Sequence, residues 1–174
     1  MTVGIRPTRF ELEPFTPAYA PTIATWVSTE RELCWLAPST PPPLTAEKVM
    51  GWLTPGRCAY LLSAEGDATP VAYGELNPVG RNPNHLWIGH VIIRPDRRGR
   101  GLGRRFVRCL VETAFAHTTI RCVSLIVFPD NAAAVKCYRH VGFQLAGEEF
   151  HDFGRSGQHD RLLRFEIRSD CLQH

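Results

Sequence analysis

Hydrophobic and polar positions follow two periods along this chain, and the change from one to the other marks its elements. Phe10-Glu-Leu-Glu-Pro-Phe15 alternates with period two and predicts a first strand, closed by Pro17. Ile23, Trp26 and Val27 then stand at i, i+3 and i+4, which predicts a helix with Thr16 as its cap and Pro21 tolerated near its first turn. Ser28–Pro43 has no clear period and reads as an irregular segment, too apolar for a linker, that carries Glu30, Glu32, Trp35 and Leu36 to a Pro41-Pro-Pro43 stiffener. A second helix starts at a Thr45 cap, carries Val49, Trp52 and Leu53 on one face, and stops at Pro55-Gly56.

Strand spacing returns in Cys58–Ala64 and Pro70–Val79, joined by a turn at Glu65-Gly-Asp67, and in Leu86–Ile93, which extends the pair to a meander. Gly89 leaves a gap in the last of these. It predicts a bulge that splays this strand from the next and admits a ligand between them. The helical period then runs through Leu102, Phe106, Leu110 and Ala114 with Val107 and Val111, leaving Arg105, Arg108 and Glu112 to water. Arg121–Phe128 is a buried strand. Asp130 or Asn131 caps a helix that runs to His140 and ends at Gly142, and Gln144–Phe153 with Asp160–Ile167 makes a closing hairpin around Gly154-Arg-Ser-Gly157.

The candidate chemistry begins where the third meander strand meets the long helix, at Val91-Ile-Ile-Arg-Pro-Asp-Arg-Arg-Gly-Arg-Gly-Leu-Gly-Arg-Arg105. Pro95 has no amide to donate and ends the strand, while Gly99, Gly101 and Gly103 remove side chains that would keep a ligand from the backbone. The first amides of a helix lack partners and carry partial positive charge, so an anion such as a pyrophosphate suits them, and Arg98, Arg100 and Arg104 add to that preference. A P-loop would end in Gly-Lys-Ser/Thr, whereas Gly103 precedes Arg104-Arg105. A dinucleotide fold would need a βαβ unit with a ribose-binding acid, and none is evident.

Arg98-Gly-Arg-Gly-Leu-Gly103 instead resembles the Arg/Gln-x-x-Gly-x-Gly/Ala signature of the GNAT superfamily of acyl-CoA-dependent N-acetyltransferases. Its second landmark also occurs in order: Ser124-Leu-Ile-Val-Phe-Pro-Asp-Asn131, then Val135-Lys-Cys-Tyr138 and Gly142-Phe143. The resemblance implies one α/β (α+β) domain over residues 1–174, with a mixed, mostly antiparallel central sheet flanked by helices and splayed between the fourth and fifth strands. It implies acetyl-CoA as co-substrate, held by the backbone of Val91, Ile92 and Ile93, by the loop Gly99, Arg100, Gly101, Leu102, Gly103 and Arg104 with Arg98, and by Asn131. It makes Tyr138 the general acid that protonates the departing thiolate.

The base is less determined. A Glu used by some members falls at Ile126 here, which leaves His90, Glu75 or a water relay. The missing Glu also motivates an alternative, a non-catalytic acyl-CoA-binding regulatory module. The expected acceptor is a small-molecule, peptide or protein amine, met by the Ser28–Pro43 segment and the closing hairpin, where Glu30, Glu32, Glu148, Glu149 and Asp152 could attract a cation and Trp35 and Phe150 could contact its apolar part.

Composition narrows the picture without changing it. With 174 residues, 44% hydrophobic and 21% charged, the chain suits one domain with one substantial core. A net charge of +3, with arginines gathered at 97–108, argues for a local anion site rather than a nucleic-acid surface. The six cysteines show neither Cys-x-x-Cys nor zinc-type spacing, so neither a metal nor a disulfide framework is expected. No signal-type or membrane-length apolar run occurs, which favours reduced thiols in the cytoplasm without membrane contact, and the oligomeric state stays open between monomer and homodimer.

Overall fold

The computed structural model describes residues 8–154 and 159–172. In chain order these form β1 (Phe10–Pro14), α1 (Ala20–Ala24), α2 (Glu30–Leu36), α3 (Ala46–Gly51), β2 (Cys58–Ala64), β3 (Ala72–Val79), β4 (Asn82–Ile93), α4 (Leu102–Ala116), β5 (Cys122–Val127), α5 (Ala132–Val141), β6 (Gln144–Asp152) and β7 (His159–Arg168). The strands make one sheet in the order β1-β2-β3-β4-β5-β7-β6. Neighbours joined by short turns are antiparallel, whereas β4 and β5 run parallel because α4 carries the chain back across the sheet between them.

Each face is covered by different helices. On one, the α4 stripe Leu102, Phe106, Val107, Leu110, Val111 and Ala114 is buried as its period requires, against strand residues such as Leu62, Leu76, Val123 and Phe165. The helix lies so close to β3 that a Cβ on Gly74 would stand 2.9 Å from the Phe106 ring and 3.2 Å from Leu110. On the other face, Ile23, Trp26, Leu33, Val49 and Trp52 close over Ala59, Leu61, Tyr73 and Ile92. Among the described residues, no side chain of β5, β6 or β7 enters this second core.

Two features make a cleft. The β4–β5 ladder consists only of His85–Trp87 against Cys122–Ser124, and beyond it the strands part. The β3–β4 register jumps from Tyr73↔Ile92 to Glu75↔Gly89, so His90 and Val91 together oppose Gly74. That is the expected bulge, but its left-handed residue is His90 (φ 48°) rather than Gly89. Gly89 is needed for another reason: a Cβ there would lie 2.7 Å from the Trp87 ring.

The N-terminal third departs from expectation. Ser28–Pro43 is not irregular throughout but contains α2, capped by Thr29, whose hydroxyl accepts the Glu32 amide at 3.1 Å while the Glu32 carboxylate accepts the Ser28 amide at 2.8 Å. Thr29-Glu-Arg-Glu32 is a capping-box pattern that signals this helix start. The helix before it is shorter than its apolar stripe suggests. It ends at Ala24, where the Thr25 hydroxyl bonds back to the Thr22 carbonyl at 2.6 Å, and Trp26 is buried from the turn that follows. Residues 155–157 of the expected hairpin turn lie outside the described residues.

Candidate active site

The parted edge of β4 is polar by construction. Arg94 N–H donates to the Val71 carbonyl at 2.9 Å, so strand alternation turns the amide and carbonyl of Ile93 and of Val91 away from β3, toward the cleft. Ile92, expected to bind alongside them, instead pairs its backbone with Tyr73 and buries its side chain beneath the helices. The Ile93 carbonyl is already held by Arg98 Nε at 3.0 Å.

The loop after β4 has the form an anion needs. Gly99 and Gly101 take φ of 74° and 77°, a conformation unfavourable to any side chain, with nothing near a Gly99 Cβ and only the Arg104 guanidinium, at 3.4 Å, near one on Gly101. No side chain caps α4, so the Leu102, Gly103 and Arg104 amides at its start are left for a ligand. Arg100 and Arg104 are exposed beside them. Arg98 departs from its expected role, since its guanidinium binds Glu32 at 2.6 Å and the Trp26 carbonyl at 2.7 Å as well as Ile93, fastening the loop to α2 and to the turn after α1. Gly103 keeps its amide at the start of α4, but a Cβ there would point at Cys137 Sγ (3.5 Å) and Ile93 (3.8 Å), so its missing side chain serves the contact between helices rather than ligand space.

Across the cleft, Asn131 caps α5 by accepting the Ala134 amide at 3.3 Å, and Gly142 ends the helix in the left-handed conformation. Tyr138 lies two turns on and shares the Asn131 face. Its half-buried ring meets Phe143 edge-on at 6.1 Å, and burial pushes its phenol up, so the hydroxyl keeps its proton. Ile126 stands at the partly exposed end of β5.

Glu75 and His90, foreseen as alternatives, form one cluster. His90 Nδ1 lies 2.8 Å from Glu75 Oε1, which also accepts the Tyr73 hydroxyl at 2.7 Å, while Asn77 Nδ2 donates to Oε2 at 3.2 Å and Arg57 stands 3.9 Å away. Burial alone would raise the Glu75 carboxyl, but the hydrogen bond and charge of His90, with the Tyr73 and Asn77 bonds, hold it below the usual carboxylate range. The Glu75 side chain is 0% exposed, so it cannot meet an amine directly. Tyr73, Asn77 and Trp52 were not foreseen as site residues. Their signal is Tyr73-x-Glu75-x-Asn77, a polar stripe of period two on a strand buried on both faces.

The acceptor rim is more paired than expected. Glu32 is taken by Arg98, Glu148 by Arg161, Glu149 by Arg164 and His151, and Asp152 by the Gly154 amide, which leaves Glu30 exposed at the start of α2. Trp35 Nε1 donates to Asp130 at 3.1 Å and Arg31 pairs with the same carboxylate, so α2 spans the cleft mouth from the glycine loop to the β5–α5 turn. Phe150 is 65% exposed. Among the described residues no cluster of His, Cys, Asp or Glu could hold a metal.

The arrangement fits a long anionic ligand with an amide-bearing arm: an open strand edge, an uncapped helix start behind two left-handed glycines, and two exposed arginines. Comparisons point the same way. The model of the Acetyltransferase (GNAT) family matches residues 10–143. Spermidine N(1)-acetyltransferase of Escherichia coli (strain K12) is 29% identical over 109 residues, 62% of this chain and 56% of that protein. N-alpha-acetyltransferase RimI of Mycobacterium tuberculosis is 38% identical over 89 residues, 51% and 54% of the two chains. The chain thus spans about half the length of these curated relatives. The solved Vibrio cholerae spermidine N-acetyltransferase with CoA and spermine superposes at a TM-score of 0.76 with 15% identity, covering 92% of this chain and 96% of that one. AAC(6')-Ib with ribostamycin and coenzyme A gives 0.75 at 18% identity, over 92% and 94%. At such identities the likeness to these structures is one of fold.

Proposed function

Because this chain belongs to the GNAT acetyltransferase family, we propose that it transfers the acetyl group of acetyl-CoA to a primary amine by direct attack. The observation that carries this reading is the parting of β4 from β5, with the glycine loop after one strand and the tyrosine helix after the other. Bound acetyl-CoA supplies an activated thioester carbonyl. The Val91 amide and carbonyl and the Ile93 amide pair with its pantetheine arm as an added strand, and Asn131 meets that arm from α5. The amides from Gly99 to Arg104, with Arg100 and Arg104, hold the pyrophosphate. Arg98 keeps that loop in place from behind.

The chain's own residues then divide the proton work. A base in the Glu75–His90 cluster accepts the amine proton, a backbone amide near Val91 polarises the carbonyl oxygen, and Tyr138 gives its proton to the departing sulfur. One relative is named for spermidine, another as an N-alpha-acetyltransferase, and one structural neighbour holds ribostamycin. Small polyamines, aminoglycosides and peptide N-termini are therefore the first acceptors to try. Three arginines near the loop are neutralised by Asp67, Asp96 and Glu32, which supports a small-molecule or peptide partner over nucleic acid. No described helix is long and apolar enough to cross a membrane. The reading extends to a single cytoplasmic domain over residues 1–174, as monomer or homodimer.

The test is CoA release across that amine panel, with the acetylated product identified by mass. Amine-dependent CoA release is expected. Tight acetyl-CoA binding without any acetylated product would overturn the reading and favour a regulatory acyl-CoA-binding module.

A further inference from the structure

We propose that Glu75 and His90 act as one proton-accepting unit, in which His90 Nε2 takes the proton of the attacking amine while Glu75, a positioning residue, never meets substrate. The inference deepens the acetyltransferase reading and rests on it for the identity of the reaction. Its geometric basis is the β4 bulge. A histidine at φ 48° is strained, and that conformation turns the imidazole onto Trp52 and toward Glu75. The Trp52 and His90 rings stack at 4.3 Å and 8°, which fixes the imidazole plane.

The tautomer follows from the partners. The groups facing His90 are Glu75 and Tyr73 from β3, Trp52 from the end of α3, and Arg57, which reaches Glu75 from the following segment. Tyr73, buried and kept protonated by burial and the neighbouring charge, can only donate to Glu75, and so can Asn77 Nδ2. An ionised carboxylate accepts and cannot donate, so the 2.8 Å contact requires a proton on His90 Nδ1 in both charge states. The lone pair of the neutral ring is thereby assigned to Nε2, which has no hydrogen-bond partner among the described residues. The His90 side chain is 14% exposed and Glu75 is 0% exposed, so only the imidazole can meet an amine.

The step balances without another reagent. The amine nitrogen bonds to the acetyl carbon, its proton moves to Nε2, the carbon–sulfur bond breaks, and the sulfur takes the Tyr138 proton. Solvent then removes the proton from Nε2 and restores one to Tyr138. Glu75 stays ionised throughout and balances the imidazolium charge.

Two measurements test this. In the intact protein, nitrogen-15 NMR of the histidine rings at neutral to alkaline pH should find neutral His90 protonated at Nδ1; a neutral ring protonated at Nε2 overturns the proposal whether or not any variant folds. In kinetics, His90→Gln should lower kcat by roughly 10²–10⁴ with acetyl-CoA affinity kept. Glu75→Gln should lower it by roughly 10- to 100-fold, the scale of a lost hydrogen bond to an ion, and move the acidic limb of the rate profile to lower pH. The double variant should be no slower than His90→Gln alone. Additive losses, or an acidic limb unmoved by either change, would make the cluster structural only. Absence of turnover with every amine would sink the acetyltransferase reading and leave the ring measurement to decide the pairing.

Discussion

Tyr138 separates packing from chemistry more cleanly than any other single residue. Its ring touches Phe143 and the α4 core, while its hydroxyl, kept protonated by burial, has no hydrogen-bond partner among the described residues. Tyr138→Phe keeps the ring and removes the proton donor, so kcat should fall by roughly 10²–10⁴ with acetyl-CoA affinity and melting temperature nearly unchanged. Full turnover in that variant, measured beside a destabilised Tyr138→Ala, would assign the residue to the core. The place of Tyr138 on the Asn131 face of α5 was legible because its spacing from Asn131 and Gly142 is a sequence property. Glu75 was legible only as a carboxylate beside a glycine. That it is sealed behind His90 depends on which side of the bulge each residue falls, and a two-against-one register is not written in local spacing. Arg98 fails as a free cation for a similar reason: Glu32 and the Trp26 carbonyl, its partners, lie far back in the chain.

At the scale of elements, the junction of β4 with α4 holds two glycines that the sequence presents alike and the structure treats differently. Gly101 is left-handed and stands at the N-cap; Gly103 is inside the helix with room for a methyl group against Cys137. Gly101→Ala should lower stability by about 1–2 kcal/mol and weaken acetyl-CoA binding, because a side chain resists that backbone. Gly103→Ala should instead gain about 0.5–1 kcal/mol from helix propensity. Calorimetry and thermal melts of the two variants check the contrast; equal losses of acetyl-CoA affinity would show that a side chain at Gly103 also meets the ligand. Long periodic elements such as α4 were legible because six apolar positions repeat one message. The seven-residue α2 was not, since one capping box carries its signal and its apolar residues face both the core and the cleft mouth.

For the molecule as a whole, carboxylates hold the cleft's supports together, and their ionisation ties the fold to pH. Asp67, in the β2–β3 turn, binds Arg94 and Arg97 on either side of Pro95, so the turn braces the segment that leads into the glycine loop. Hydrogen bonds from Arg97 and Arg94 hold its carboxyl below the ordinary value, and Glu75 is held low by its own cluster. A group with a lowered folded value binds protons more weakly in the native state than in the unfolded chain. Its stabilisation is therefore complete above the unfolded carboxylate range and drains as pH falls through the folded value. The melting temperature should accordingly be flat near neutrality and drop steeply below about pH 4, the unfolded range for Asp and Glu. Asp67→Asn should cost about 1–3 kcal/mol at neutral pH, a fall of roughly 2–12 °C for a chain of this length, by leaving two arginines short of an ionic acceptor. Because the variant has already lost this contribution, its melting temperature should approach that of the parent as both are taken to acid. A constant gap at every pH would show that Asp67 supports the loop through shape rather than charge.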